Sequence, residues 1–191
     1  MRLFVAIELD EAVRTAAARL VARLERRVAI LAPKARIGWV PPERMHLTVR
    51  FIGWVDDAQA ARIRRALEPP LRVPVFSMHV GTLGAFPPRG APRVLWVGVR
   101  DESGALADVE RDVTARLQAL GIPPEDRPYT PHLTLARVRE TAGLKSAPLF
   151  ERLGTTALGV SRVSAVTLFE SRLSPKGPTY VPLQRTPLAP A

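Results

Sequence analysis

The chain has 191 residues, 47% of them hydrophobic and 24% charged, proportions of an ordinary globular protein that exclude a disordered or fibrous one. Its net charge of +10 favours a polyanionic partner, nucleic acid first, because basic side chains that neutralise phosphates release counterions. The absence of cysteine excludes a disulfide framework, a thiolate nucleophile and a Cys-bound zinc, and no apolar run approaches the roughly 20 residues that span a bilayer.

In chain order, Leu3 to Leu9 alternates as a strand, and Glu8, Asp10 and Glu11 argue against a signal peptide. Asp10 then offers an N-cap for a helix whose apolar face is Val13, Ala17, Leu20, Leu24, Val28 and Leu31, stopped by Pro33. Strands follow at Ile37 to Val40 and His46 to Ile52, then a helix from Asp57 to Leu67 ended by Pro69 and Pro70. The order then partly repeats. Strands at Val73 to Val80 and Val94 to Val99 lead to a helix capped near Ser103, with Leu106, Val109, Val113, Leu117 and Leu120 on one face. After a loop from Ile122 to Pro131 come a strand at His132 to Val138, a short helix near Leu144 to Leu153, and strands at Val163 to Phe169 and Thr179 to Leu183.

Strands that follow one another without helices between them predict an α+β chain with antiparallel or mixed sheets, not a doubly wound parallel one. No dinucleotide or P-loop glycine pattern is present. One domain over residues 1–191 is expected, with a loosely ordered tail from about 184. The loops Gly84 to Arg93 and Ser171 to Pro178 either border a phosphate-binding cleft or are solvated turns. The 19 prolines and the lack of asparagine fit a thermostable protein.

Two of the three histidines stand in matched contexts, Met45-His46-Leu47-Thr48-Val49 and Pro131-His132-Leu133-Thr134-Leu135. On a strand, each His-x-Thr puts its imidazole and hydroxyl on one face and its apolar residues on the other. A single copy is more simply two polar residues on a wet face. Two matched copies in a basic protein point instead to a four-group phosphate site. Displacement at phosphorus needs a base for the nucleophile and an acid for the leaving oxygen, and an imidazole titrating near pH 6.5 serves either role. The threonines can donate to non-bridging oxygens. His79 lacks a matching threonine and reads as an ordinary surface or packed histidine. No HExxH, cysteine cluster or close carboxylate set lies near either motif, so no metal or cofactor is expected.

With these motifs the chain resembles the two-histidine phosphoesterases with paired HxTx motifs. More narrowly it resembles the RNA 2′,3′-cyclic phosphodiesterases once named 2′-5′ RNA ligases. The likeness extends to MRLFVAIEL, RFIG, RVLWVGV, RPYTPHLTLAR and LFESRLSPKGPTY. It implies a bilobal fold whose two pseudo-symmetric lobes, with flanking helices, each lend one HxTx strand to a central cleft. It also implies hydrolysis of an RNA-terminal 2′,3′-cyclic phosphodiester to a 2′-phosphomonoester, with His46 as proton donor and His132 as proton acceptor, and ligation as the reverse reaction. Thr48 and Thr134 carry over as phosphate ligands. Arg137 matches an arginine associated with substrate phosphate, although strict alternation puts it opposite His132, so that role requires a bulge. Arg50 falls on the His46 face by the same alternation and would add positive potential, while Tyr129 could stack on a base. The expected partners are RNA ends with a 2′,3′-cyclic phosphate, tRNA fragments among them, with no membrane. The protein is expected to be a cytoplasmic monomer. Two other readings share the four groups: a phosphodiesterase for a small nucleotide such as an ADP-ribose cyclic phosphate, and a non-catalytic module that binds RNA ends.

Overall fold

The longer apolar periodicities become the elements they predict: the helical spacings from Val13 to Val28 and from Leu106 to Leu117 lie in α-helices, and both His-x-Thr segments lie in strands. The computed structural model describes residues 1–151, 153, 156–175 and 177–190. Its elements are β1 (Arg2–Glu8), α1 (Glu11–Leu31), β2 (Arg36–Trp39), β3 (His46–Trp54), α2 (Asp57–Ala66), β4 (Leu71–Pro74), β5 (Phe76–Phe86), β6 (Val94–Arg100), α3 (Ala105–Gln118), β7 (His132–Glu140), α4 (Ser146–Phe150), β8 (Gly159–Val163), β9 (Ala165–Arg172) and β10 (Thr179–Ala189).

The mixed α/β class is as expected, and the strands join in one sheet. Its order is β4-β10-β9-β1-β3-β7-β6-β5-β8, with β2 also paired to β7. All pairings are antiparallel except β10 with β4. The two HxTx strands, β3 and β7, meet at the middle of this order through a single register pair, Leu47 with Leu133. Beyond it β7 turns to β2 instead, pairing Trp39 with Ala136 and Ile37 with Val138.

So short a seam needs support from elsewhere, and the helices supply it. Leu47 and Leu133 are fully buried in one core with Leu20 and Leu24 of α1, Ile63 of α2, and Val113 and Leu117 of α3. Helix α1 leaves β1 on one side of the seam and is tied to β8 on the other. There Asp10 accepts from the Arg162 amide at 2.8 Å, and its own amide donates to Ser161 Oγ at 3.0 Å. In return α3, which follows β6, packs on β3 and β4.

Several boundaries differ from the sequence reading. The strand expected at Val73 to Val80 is two strands, β4 and β5, and the second runs on to Phe86, into the expected loop. The single strand expected at Val163 to Phe169 is the junction of β8 and β9. Helix α4 is only Ser146–Phe150; of the expected span, Arg152 lies outside the described residues. The tail from 184 is not loose as far as Ala189: it is the second half of β10, paired to β9 through Pro187 and to β4 at Leu188 and Ala189. Ala191 lies outside the described residues. Helix α3 is capped by Asp101 as well as Ser103. The Asp101 carboxylate accepts from Ser103 Oγ at 2.7 Å and from the amides of Ala105 and Leu106 at 3.0 and 3.1 Å. Burial pushes that carboxyl up, but the Ser103 bond and the amide bonds more than offset it and hold it below its usual range.

Candidate active site

Leu47 and Leu133 point into the core, so their neighbours point out of it. Counting from that pair along an antiparallel ladder sets His46 across from Thr134 and Thr48 across from His132. All four line one cavity of ≈ 330 Å³ on the face away from the helices, with Arg44, Phe4 and Tyr180 on the His46 side. The two histidines are diagonal neighbours, a relation that separates Cα atoms by roughly 7–8 Å.

Two bulges decide which arginine joins them. In β7, Ala136 pairs with Leu95 and Thr134 with Trp96, so Leu135 has no counterpart on β6. Leu135 and Ala136 are both buried, and alternation resumes one residue out of step. Arg137 is thereby moved to the His132 face and lines the cavity. Strand β3 has the same device at Val49, between the pairs Val5–Arg50 and Ala6–Thr48. Here it has the opposite consequence for an arginine. Arg50, expected on the His46 face, is turned into the core and is 3% exposed. Its Nη1 lies 3.5 Å from Glu125 Oε1, and its Nη2 donates to the Pro123 carbonyl. Phe51 takes its place at the cavity.

The imidazoles are held alike. His46 Nδ1 lies 2.8 Å from the Arg44 carbonyl and His132 Nδ1 lies 2.7 Å from the Thr130 carbonyl. A carbonyl oxygen only accepts, so Nδ1 is the N–H in both rings and Nε2 is left for proton exchange. Aromatic pairs fix the ring planes. Between ring centroids, His46 has Phe4 at 4.9 Å and Tyr180, nearly perpendicular, at 5.1 Å; His132 has Phe86, nearly perpendicular, at 5.1 Å and Trp96 at 6.1 Å. Burial pulls the His46 pKa below its usual value; the Arg44 carbonyl bond opposes this and the Arg137 charge adds to it.

The Trp96 indole lies flat across β5 only because residue 84 is glycine: a Cβ there would come within 2.1 Å of the ring. None of Phe4, Phe86, Trp96, Tyr180 or Arg44 was singled out from the sequence. For Phe4, Trp96 and Tyr180 the one available signal was a position within motif segments shared with the resembled family; ring contacts between distant strands leave no local pattern.

Tyr129 is not in the four-group cavity. It lines a neighbouring one of ≈ 790 Å³ that shares Thr48, Phe51 and His132 with the first. Its hydroxyl donates to the Thr48 carbonyl at 3.2 Å, and burial, followed by the charges of Glu110 and Glu125, pushes its pKa far up, so the phenol stays neutral. Both loops left open by the sequence border this cleft. Phe86, Pro87, Pro88 and Arg93 line the larger cavity; Ser171, Leu173 and Pro178 line the smaller. Lys176, in the second loop, lies outside the described residues. His79 is exposed on β5, opposite Arg100 and Val160 and away from both cavities. Among the described residues no three of His, Cys, Asp or Glu come together as a metal-binding group.

Residues 12–174 match the family model of the 2′-5′ RNA ligase superfamily. A protein of Methanothermobacter thermautotrophicus named RNA 2′,3′-cyclic phosphodiesterase is 32% identical over 186 residues, covering 96% of this chain and 97% of its own. One of the same name from Archaeoglobus fulgidus is 33% identical over 184 residues, covering 96% and 98%. Among solved structures, TT0787 of Thermus thermophilus aligns with a TM-score of 0.75 at 28% identity over 98% of both chains. Escherichia coli LigT in its apo form has a TM-score of 0.76 at 23% identity, covering 98% of this chain and 96% of its own, a likeness of fold.

Proposed function

Because this chain belongs to the 2′-5′ RNA ligase superfamily, we propose that it hydrolyses RNA-terminal 2′,3′-cyclic phosphodiesters to 2′-phosphomonoesters by metal-free acid–base catalysis. RNA ends, those of tRNA fragments included, are the substrates. The observation that carries this reading is that both imidazoles, both threonines and Arg137 line one cavity, each histidine with the same tautomer.

In the proposed step His132 Nε2 takes a proton from water, the water oxygen bonds to phosphorus, and the P–O3′ bond breaks. His46 gives O3′ its proton. Thr48 and Thr134 donate to the non-bridging oxygens, and the Arg137 guanidinium balances the charge that gathers there. A donor must be protonated, whereas burial and Arg137 favour neutral His46 in the free protein. The phosphodiester resolves this tension: an anion between the rings neutralises Arg137 and raises the proton affinity of His46 as substrate binds.

An RNA ending in a 2′,3′-cyclic phosphate, incubated with the protein in EDTA, tests the scheme. A 2′-phosphate end formed at the rate seen without chelator is expected. A 3′-phosphate end would reverse the leaving oxygen, and loss of turnover in EDTA would refute the metal-free scheme.

A further inference from the structure

Strands β3 and β7 share one register pair, Leu47 with Leu133, so the ladder stops one residue short of His132. That end of the seam is held by other means. The loop from Ile122 to Pro131 crosses it. On one side the loop runs into β6, where the Val99 amide donates to the Pro131 carbonyl at 3.2 Å and Gly98 pairs with His132. On the other side it is fastened to β3 at Thr48, Arg50 and Phe51. The Tyr129 hydroxyl donates to the Thr48 carbonyl at 3.2 Å, and the Phe51 amide donates to Glu125 Oε1 at 3.3 Å. The Arg50 guanidinium donates to the Pro123 carbonyl and faces Glu125 Oε1 at 3.5 Å.

Arg50 is an expensive choice for that place. Its side chain is 3% exposed, and among the described residues its buried Nε and Nη1 have no hydrogen-bond partner, a desolvation that an apolar residue would avoid. What the guanidinium does there is hold two points of the loop, Pro123 and Glu125, against β3. Tyr129 completes the link. Its hydroxyl bonds the backbone of Thr48 in the first motif, and the next residue, Thr130, holds Nδ1 of His132 in the second at 2.7 Å. A loop released from β3 therefore carries with it the carbonyl that orients the His132 ring. His46 hangs instead on the Arg44 carbonyl.

We propose that Arg50 and Tyr129 are positioning residues for His132. Through the loop they set its distance from Thr48 and keep its Nε2 aimed at the attacking oxygen, without touching the reacting atoms themselves. The proposal rests on the role of His132 as the base given above.

Two substitutions test it. Tyr129→Phe keeps the ring on the cavity wall and removes only the hydroxyl, whereas Arg50→Met keeps a long side chain and removes the donors. On an RNA with a 2′,3′-cyclic end, each is expected to lower kcat by about tenfold and leave KM within about twofold, since a misplacement of about 1 Å can cost up to about 10². Each is then combined with His132→Ala and with His46→Ala. Once the His132 ring is gone neither substitution should lower the rate further, while the tenfold loss should persist in His46→Ala. Tyr129→Phe, the milder change, decides the matter if Arg50→Met does not fold. A tenfold loss repeated in His132→Ala would overturn the proposal, as would unchanged kinetics. A raised KM at unchanged kcat would also overturn it and make Tyr129 a substrate contact. If His132→Ala itself turns over as fast as the parent, the assignment of the base fails, and this proposal with it.

Discussion

A ring nitrogen that donates to the carbonyl two residues earlier fixes the tautomer of a histidine, and His46 and His132 share this arrangement. The burial of the His46 ring has a consequence that can be measured. His46 binds its proton less well in the folded protein than in the unfolded chain, where it titrates near 6.5. Between those two values the unfolded state holds more protons, so stability rises with pH there. The contribution of His46 is therefore intact above the unfolded value and is lost as pH falls through the folded one. Urea unfolding at about pH 7.5 and about pH 5 should show a smaller loss on acidification in His46→Gln than in the parent; an equal loss would contradict the burial assigned to this ring. The four motif residues were legible because a two-residue period needs no knowledge of neighbouring strands. Arg50 was misplaced because a bulge is a property of the ladder between two strands, and one strand's sequence does not contain it.

At the scale of elements, the bulges in β3 and β7 have opposite outcomes because each strand has a different residue at the shifted position, Phe51 in one and Arg137 in the other. That asymmetry gives two nearly identical motifs one cationic wall and one aromatic wall. Glycine matters where β5 passes under Trp96. In Gly84→Ala the new methyl must displace the indole, and the ring contact with His132 shifts with it. A stability loss of about 1–3 kcal/mol is expected, read from the urea midpoint, together with a lower kcat. Full activity would detach Trp96 from the placement of His132. Strand β8 was missed because glycine and serine weaken its pattern. The length of β10 was hidden by Pro182 and Pro187, residues that read as breakers; Pro182 stands at a register shift, a place where a strand tolerates proline.

For the whole molecule, the fold class followed from element order, whereas the joining of all strands into one sheet did not, since a seam of one register pair has no sequence signature. Helices that cross from each side to the other hold the seam and keep the two motifs in register. The charge of +10 acts over the same scale. It should strengthen capture of a chain of phosphates far more than capture of one. Raising salt from about 50 to about 200 mM should therefore lower kcat/KM for a cyclic-ended oligonucleotide much more than for the mononucleotide with the same terminus. Equal sensitivity would favour a small nucleotide as substrate.

The claim beneath all of this is that His46 and His132 act on one phosphorus atom as acid and base. It is tested most directly by the pH dependence of kcat/KM for the parent, His46→Ala and His132→Ala. The parent should give a bell, and each variant should be slower by about 10² or more. His46→Ala should lose only the alkaline limb and His132→Ala only the acid limb. Variants that keep both limbs, or that lose the opposite ones, would contradict the account.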